Sequence, residues 1–388
     1  MCRDCSKAAS LPFLRPERLP GRSLRRWRAC SPHLPPASND RNLMDRNLAQ
    51  LVRDASDPSA GARQVRAAAR LMSFLEAEPQ RLPDVFRHLP QEAWPRPRLV
   101  LGITGAPGSG KSTLVDALIA EYRHRHPGAR IGAIAVDPSS PFTGGAVLGD
   151  RVRMMRHAED PGVFIRSLAS RGHLGGLSLG VRGVLRIMGL TGCELVIIET
   201  VGVGQSEVEV AGVADQVLVI LAPGQGDSIQ MLKAGLLEIA DLFAVNKADT
   251  PGADRLHSSL INTIGLGYVS DNPIKEDVKG EFPQRKRETP EVFLVSATEK
   301  SGIEELVDAL EQRTESRSSE WQTFRDASVV AEVRDAVLEE GRLRLLDLLN
   351  NNGTAGQELQ KVLAGDTSVR EFTQQLFEKV RAGSRSGT

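Results

Sequence analysis

Short apolar runs alternate with helix-like stretches through the middle of this chain. In the stretches between the runs, apolar residues recur every three or four positions, as on one face of a helix. Strands that alternate with helices predict an α/β fold in which a mainly parallel sheet is flanked by helices on both faces. The predicted strands are Leu99–Thr104, Ile131–Val136, Leu195–Ile198, Val217–Leu221, Leu242–Val245 and Val292–Val295.

Helical spacing also occurs on both sides of this region. Two or three short helices are predicted between residues 45 and 89, another between 320 and 349, and a last one over Ser368–Val380. The apolar stripe of the later helices is either a dimer surface or a face that packs on its own domain. The predicted domains are an extension or leader, expected to be disordered (1–43), an N-terminal helical segment (44–97), a P-loop domain (98–315) and a C-terminal helical arm (316–388).

The first 43 residues are rich in arginine, proline and serine, and acidic residues are few before Asp40. This composition fits either a mitochondrial transit peptide or an upstream extension before a start at Met44. The expected location is the cytoplasm, or the mitochondrial matrix if the segment is a transit peptide. A secretory signal is disfavoured because the segment has no apolar core of the required length.

Charge and composition argue against several classes of function. Lys and Arg number 49, as do Asp and Glu, and aromatic residues make up 4% of the chain, which disfavours nucleic-acid binding. The four cysteines are too few for a disulfide framework, and the pair Cys2 and Cys5 has no partners at zinc-site spacing. No apolar run is long enough to span a membrane.

A glycine-rich turn follows the first predicted strand and satisfies the spacing G-x-x-x-x-G-K-S/T. Glycines in such a turn let successive backbone N–H groups converge on phosphate oxygens, and the N-terminus of the following helix adds its dipole. We expect Lys111 to bridge the β- and γ-phosphates and Ser112 to ligate magnesium. The predicted nucleotide-binding residues here are Gly105, Ala106, Pro107, Gly108, Ser109, Gly110, Lys111, Ser112 and Thr113.

Acidic residues follow two further predicted strands. Asp137 comes directly after the second strand and Asp150 follows a loop rich in glycine and proline, while Glu199 ends the third strand and precedes Gly202. Magnesium prefers hard oxygen ligands, so Ser112, Asp137, Asp150 and Glu199 form the predicted metal site. The alternative for Asp137 is a simple turn before proline. The predicted catalytic residues are Lys111, Asp150, Glu199 and Gly202, whose N–H would donate to the γ-phosphate.

The sequence N-K-x-D follows the fifth predicted strand, at Asn246, Lys247 and Asp249. A carboxylate can accept from both the N1–H and the exocyclic amine of guanine, and adenine has no matching pair of donors, so GTP is favoured over ATP. After the last strand, Ser296, Ala297 and Thr298 could support the base. A glycine-containing segment with Asp227, Gln230 and Lys233 is either an ordinary strand-to-helix turn or a mobile segment that reports nucleotide state.

With these motifs assembled, the chain resembles the methylmalonyl-CoA mutase-associated GTPases, the MeaB or ArgK family, which includes the human protein for cobalamin disorder type A. The motifs that carry the resemblance are VDPSSPFTGGAVLGDRVRM, SRGHLGGLS, ETVGVGQSE and NKAD. The resemblance implies GTP or GDP with Mg²⁺ at the site, with Glu199 in place of the usual aspartate. It also implies that Asp227, Gln230 and Lys233 couple the nucleotide state to the partner.

The expected function is a GTPase that serves an adenosylcobalamin-dependent acyl-CoA mutase, with methylmalonyl-CoA mutase as the expected partner. It would gate cofactor loading, protect or reactivate the mutase and form a homodimer. The alternative is a GTP-dependent metallochaperone, which would need a histidine-rich tract or metal-binding cysteines near the nucleotide. A third possibility, an ATP-dependent kinase linked to amino-acid transport, is opposed by Asp249.

Overall fold

The computed structural model describes most of the chain between residues 38 and 375. The described ranges are 38–78, 81–89, 96–138, 157, 159–170, 179–200, 209–224, 236–265, 289–316, 318–350, 361–362 and 366–375. The chain divides into two compact units, residues 1–46 and 47–388. Of the first unit, only the beginning of the first helix is described.

Helices precede the sheet and then alternate with its strands. The helices are α1 (Ser38–Ser56), α2 (Ala62–Ala77), α3 (Leu82–Phe86), α4 (Lys111–Arg125), α5 (Leu179–Leu190), α6 (Leu237–Ile239), α7 (Ala253–Thr263), α8 (Ile303–Ser316) and α9 (Ser318–Asn350). The strands are β1 (Leu99–Gly105), β2 (Arg130–Pro138), β3 (Val163–Ser170), β4 (Cys193–Thr200), β5 (Gln216–Leu221), β6 (Leu242–Val245) and β7 (Glu291–Leu294). Short 3₁₀ helices cover Pro58–Ala60 and Val210–Gly212.

The seven described strands form one sheet in the order β3-β2-β4-β1-β5-β6-β7, and every neighbouring pair is parallel. This confirms the predicted fold class. Because the strands are parallel, their carboxyl ends lie along one edge of the sheet, which is where ligands bind in folds of this kind. Strand β1 is central, so the glycine-rich turn that follows it lies in the middle of that edge.

The two faces of the sheet bury two separate apolar clusters. Alternate residues of β5 show the division: Val217 and Val219 pack with α1, α2 and α5, whereas Leu218 and Ile220 pack with α4 and α8. Buried strands covered by helices on both sides read as continuous apolar runs, which is why they could be recognised in the sequence. The α-helical segment before β1 therefore shares a core with the sheet.

Strand β3 was not predicted from the sequence. It lies at the edge of the sheet, and its residues Arg166 and Ser167 interrupt the apolar pattern. An edge strand is covered less completely than a central one, so it can alternate between apolar and polar residues. The predicted excursion over residues 265–290 falls almost entirely outside the described residues. The domain boundaries given above stay predictions.

Helix α9 runs from the predicted start to the predicted end of the late helical pattern. Residues 369–375 are also helical, and Ser368 and Glu371 cap this helix reciprocally: the N–H of Glu371 donates to the Ser368 hydroxyl, and the N–H of Ser368 donates to the Glu371 carboxylate. Among the described helices, none combines the length and the apolar character that crossing a membrane would require.

Candidate functional site

Gly105, Gly108 and Gly110, at the turn between β1 and α4, all have positive φ, which favours glycine. Gly105 has φ 143° and Gly110 has φ 91°. A Cβ atom at Gly105 would lie 2.2 Å from the backbone oxygen of Ile220, and one at Gly110 would lie 2.4 Å from Nδ2 of Asn246. The two glycines therefore allow the turn to pass close to β5 and to the loop after β6, as a phosphate-binding loop requires.

Lys111 lies at the first position of α4, directly after the turn. Its ammonium group donates to the backbone oxygens of Gly105 (2.8 Å) and Ala106 (3.0 Å), and its side chain is buried. This holds the positive charge above the loop whose N–H groups and helix dipole also favour an anion. The arrangement is suited to binding the phosphates of a nucleotide.

The Ser112 hydroxyl donates a hydrogen bond to Oε1 of Glu199, with a distance of 2.7 Å. Both residues are buried, and they come from neighbouring parts of the same edge: Ser112 from the first turn of α4, and Glu199 from the end of β4. The structure thus brings together two of the four predicted magnesium ligands as a pair of hard oxygen donors.

Asn246 connects three loops of this edge, a role that its place in the N-K-x-D motif did not reveal. Its amide nitrogen donates to the backbone oxygen of Ser109 (2.9 Å), and its amide oxygen accepts from the backbone N–H of Ala297 (3.1 Å). Because Asn246 is buried, both hydrogen bonds are shielded from water. The phosphate loop and the loop after β7 are therefore held at a fixed distance.

Lys247 adopts a left-handed backbone conformation, with φ 61°, which is uncommon for a residue with a Cβ. Its ammonium group donates to the backbone oxygen of Gly108 at 2.8 Å, so it is a second tether to the phosphate loop. Strained backbone of this kind is concentrated at functional sites.

The Asp249 carboxylate accepts a hydrogen bond of 2.6 Å from the Ser296 hydroxyl, which in turn accepts from the N–H of Glu299 at 3.2 Å. Ser296 is buried, and an antiparallel bridge to Ser301 supports it. The sequence suggested that Ser296 supports the base. The structure adds that it orients the carboxylate predicted to select guanine.

Several predicted site residues lie outside the described residues. They are Asp150, Gly202, Asp227, Gln230 and Lys233. The backbone of Asp137 is the next-to-last residue of β2, at the same edge of the sheet, but its side chain is not described. In the described part of the chain, no group of three or more His, Cys, Asp or Glu side chains is placed to hold a metal ion. The magnesium site therefore stays a prediction, carried by Ser112 and Glu199.

Comparison with known proteins decides the family. The model of the family described as "Methylmalonyl Co-A mutase-associated GTPase MeaB" matches residues 69–345, which include every strand of the sheet. The chain belongs to the MeaB family. Its members are GTPases, so the chain is a GTPase, and the P-loop fold and the guanine specificity expected from Asp249 agree with this activity.

Named relatives agree with the MeaB assignment. A GTPase of Pyrococcus abyssi is 42% identical over 277 residues, which cover 70% of this chain and 80% of the relative. The GTPase ArgK of Escherichia coli is 41% identical over 55% of this chain and 60% of its own length. The mitochondrial methylmalonic aciduria type A homolog of Caenorhabditis elegans is 41% identical over 38% of this chain and 37% of its own.

A solved structure shows the same architecture. The crystal structure of a LAO/AO transport system kinase aligns with 87% of this chain and 98% of its own, with a TM-score of 0.56 and 26% identity. The resemblance recognised from ETVGVGQSE and the other motifs is thus confirmed at the level of family, fold and GTPase activity.

Proposed function

We propose that this GTPase is a chaperone of an adenosylcobalamin-dependent acyl-CoA mutase, with methylmalonyl-CoA mutase as the partner. It gates the loading of the cofactor and protects or reactivates the mutase. The observation that carries this proposal is the match to the MeaB family over the whole sheet, since the family description names the mutase. The name of the Caenorhabditis elegans relative, which refers to methylmalonic aciduria, supports the same partner.

The chemistry at the site is hydrolysis of GTP. A water oxygen attacks the γ-phosphorus, the bond to the β–γ bridging oxygen breaks, and GDP and phosphate are released. Lys111 is held above the phosphate loop and stabilises the charge that develops on the phosphate oxygens. Asp249, oriented by Ser296, selects guanine.

Magnesium fits the oxygen donors of this site. The Ser112 hydroxyl and the Glu199 carboxylate are both buried and lie 2.7 Å apart at the edge where the phosphates bind. When bound, Mg²⁺ neutralises charge on the β- and γ-phosphate oxygens. We propose Ser112 and Glu199 as its ligands, with Asp137 and Asp150 as further candidates. Catalytic contributions of Asp150 and Gly202 and the coupling role of Asp227, Gln230 and Lys233 stay predictions.

We also propose that the protein is a homodimer in which α9 pairs with a second copy. Val330, Val333, Val337 and Leu338 are each more than half exposed, and the spacing of three and four residues places the first three on one helix face. Val333→Glu should convert a dimer to a monomer in analytical ultracentrifugation, whereas Val65→Glu, at an exposed valine of α2, should not. A monomeric wild-type protein would contradict this arrangement.

Cofactor gating is tested by following the binding of adenosylcobalamin to apo-mutase in the visible spectrum. The GTPase is added with GTP, with GDP or without nucleotide. We expect the loading rate to depend on the nucleotide, and Lys111→Ala to remove that dependence. Equal loading rates under all conditions would contradict the gating function. The location, cytoplasmic or in the mitochondrial matrix, is part of the proposal and is tested by fractionation.

A further inference from the structure

A described segment, residues 209–215, packs against β1 and leads into the start of β5. Glu199 and Thr200 end β4 at the nucleotide edge, and β5 begins at Gln216 at the opposite edge, because the two strands run parallel to β1. Of the chain between them, residues 209–215 are described, and they contain the 3₁₀ helix Val210–Gly212.

This segment lies unusually close to the central strand. A Cβ atom at Gly102 of β1 would lie 2.6 Å from Cγ2 of Val210 and 3.0 Å from Cβ of Ala214, so only glycine allows the approach. Val210 and Ala214 are fully buried. In a close-packed region of this kind a displacement of one element is passed to its neighbours rather than absorbed.

The middle of the segment, at Gly212, is bonded to α9. The Ser328 hydroxyl of α9 donates to the backbone oxygen of Gly212 (3.3 Å) and accepts from the Arg182 guanidinium of α5 (2.8 Å). Arg182 also donates to the backbone oxygens of Ser328 (3.3 Å) and Gly212 (3.5 Å). Arg182 and Ser328 are buried, so breaking these hydrogen bonds would leave buried polar groups without partners, which costs free energy.

A second group of hydrogen bonds holds the next residues to α9. The fully buried Asp215 carboxylate accepts from Arg325 of α9 (3.0 and 2.8 Å), from Arg96 (3.3 Å) and from the N–H of Val100 in β1 (2.9 Å). Arg96 also donates to the backbone oxygen of Val213 at 3.2 Å, and burial lowers the pKa of Arg96 to about 10. Arg325 and Ser328 of α9 are thus bonded to the two ends of a short stretch, Asp215 and Gly212.

We propose that Arg182 and Ser328 couple the nucleotide site to α9. A change at Thr200 that accompanies the exchange of GDP for GTP is passed to β1, because the Thr200 hydroxyl donates to the backbone oxygen of Ile103 at 3.4 Å. The close contact of Gly102 with Val210 passes it to the 209–212 segment, and the Gly212–Ser328–Arg182 contact passes it to the helix arm. The coupling rests on the proposed function, since it concerns the regulation of the same nucleotide site. It makes the arm, which carries the exposed apolar stripe, responsive to the bound nucleotide.

Hydrogen–deuterium exchange of the full-length protein with Mg²⁺ and either GDP or a non-hydrolysable GTP analogue tests the coupling. Wild type should show a difference of about threefold or more between the two nucleotides in the exchange of residues 321–334. Ser328→Ala, which removes the hydroxyl but leaves the helix backbone, should abolish that difference, as should Arg182→Lys. Ser316→Ala, which removes a part-buried hydroxyl that donates to Arg313 O one turn earlier, is the matched control.

Exchange in the phosphate-loop peptide, residues 99–113, distinguishes a failure of nucleotide binding from a failure of the coupling. If the peptide shows no protection by either nucleotide, the nucleotide-binding function fails. If it is protected but residues 321–334 exchange equally with both nucleotides, or if either Ser328→Ala or Arg182→Lys retains the wild-type difference, the coupling is wrong and the GTPase stands.

Discussion

The hydroxyl of Ser112 and the carboxylate of Glu199 are hydrogen-bonded at 2.7 Å although 87 positions separate the two residues in the chain. This contact joins the first turn after the phosphate loop to the end of β4. It concentrates buried hard oxygen atoms at the place where a nucleotide's phosphates bind, which makes it the structural basis of the predicted magnesium site.

Replacing Glu199 by Gln should raise the magnesium concentration needed for half-maximal GTP hydrolysis by about tenfold, because the amide retains a hydrogen-bond acceptor for Ser112 but loses the negative charge. The measurement is the hydrolysis rate as a function of Mg²⁺. Glu194→Gln, at an exposed position of the same strand, is the control. An unchanged magnesium requirement in Glu199→Gln would exclude Glu199 as a metal ligand.

Replacing Asp249 by Asn should weaken GTP binding by about a hundredfold and create binding of xanthosine triphosphate, whose C2 carbonyl can accept from the new amide. The amide oxygen can still accept from Ser296, so the loop should keep its structure. Calorimetric titration with both nucleotides measures the change, with Asp254→Asn in the first turn of α7 as the control. Wild-type GTP affinity in Asp249→Asn would contradict the assigned role in base selection.

Replacing Gly105 by Ala should lower the free energy of unfolding by about 2–4 kcal/mol, since the new Cβ would collide with the Ile220 oxygen at 2.2 Å and the backbone has positive φ. Gly128→Ala, where the new Cβ would meet only open space, should change it by less than about 0.5 kcal/mol. Urea unfolding monitored by circular dichroism gives both values. Similar stabilities for the two variants would refute the close approach of β1 to β5.

The Cys193 thiol should be nearly inert in the folded protein, because burial raises its pKa to about 11. At pH 8 its alkylation should be about a hundredfold slower than in the chain unfolded in guanidinium, as peptide mass mapping of residue 193 can measure. The raised pKa stabilises the fold fully below pH 9, and this contribution decreases between pH 9 and 11, where only the unfolded chain ionises readily. Equal alkylation rates in both states would show that the thiol is accessible.

Much of this fold could be predicted from the sequence because its central strands are buried on both faces. Val217 to Leu221 and Leu242 to Val245 are recognisable as apolar runs, and each strand is present where the pattern predicts it. Strand β3 could not be recognised because an edge strand with Arg166 in its middle lacks that signal.

The site was predictable in its motifs but not in its internal contacts. The phosphate loop and N-K-x-D depend on local spacing, which a sequence displays directly. The hydrogen bond from Asn246 to Ser109 joins positions 137 residues apart, and the contact between Arg182 and Ser328 spans 146. Such contacts follow from how the helices pack on the sheet, and nothing in the local sequence marks them.

The most direct test of the account is the rate of GTP hydrolysis at increasing concentrations of methylmalonyl-CoA mutase. We expect slow turnover by the protein alone and a saturable increase of about tenfold or more with the mutase, because the partner completes or orders the loops around the γ-phosphate. Lys111→Ala should remove both the basal and the stimulated rates. A hydrolysis rate that is the same with and without the mutase would contradict the proposed coupling to this partner.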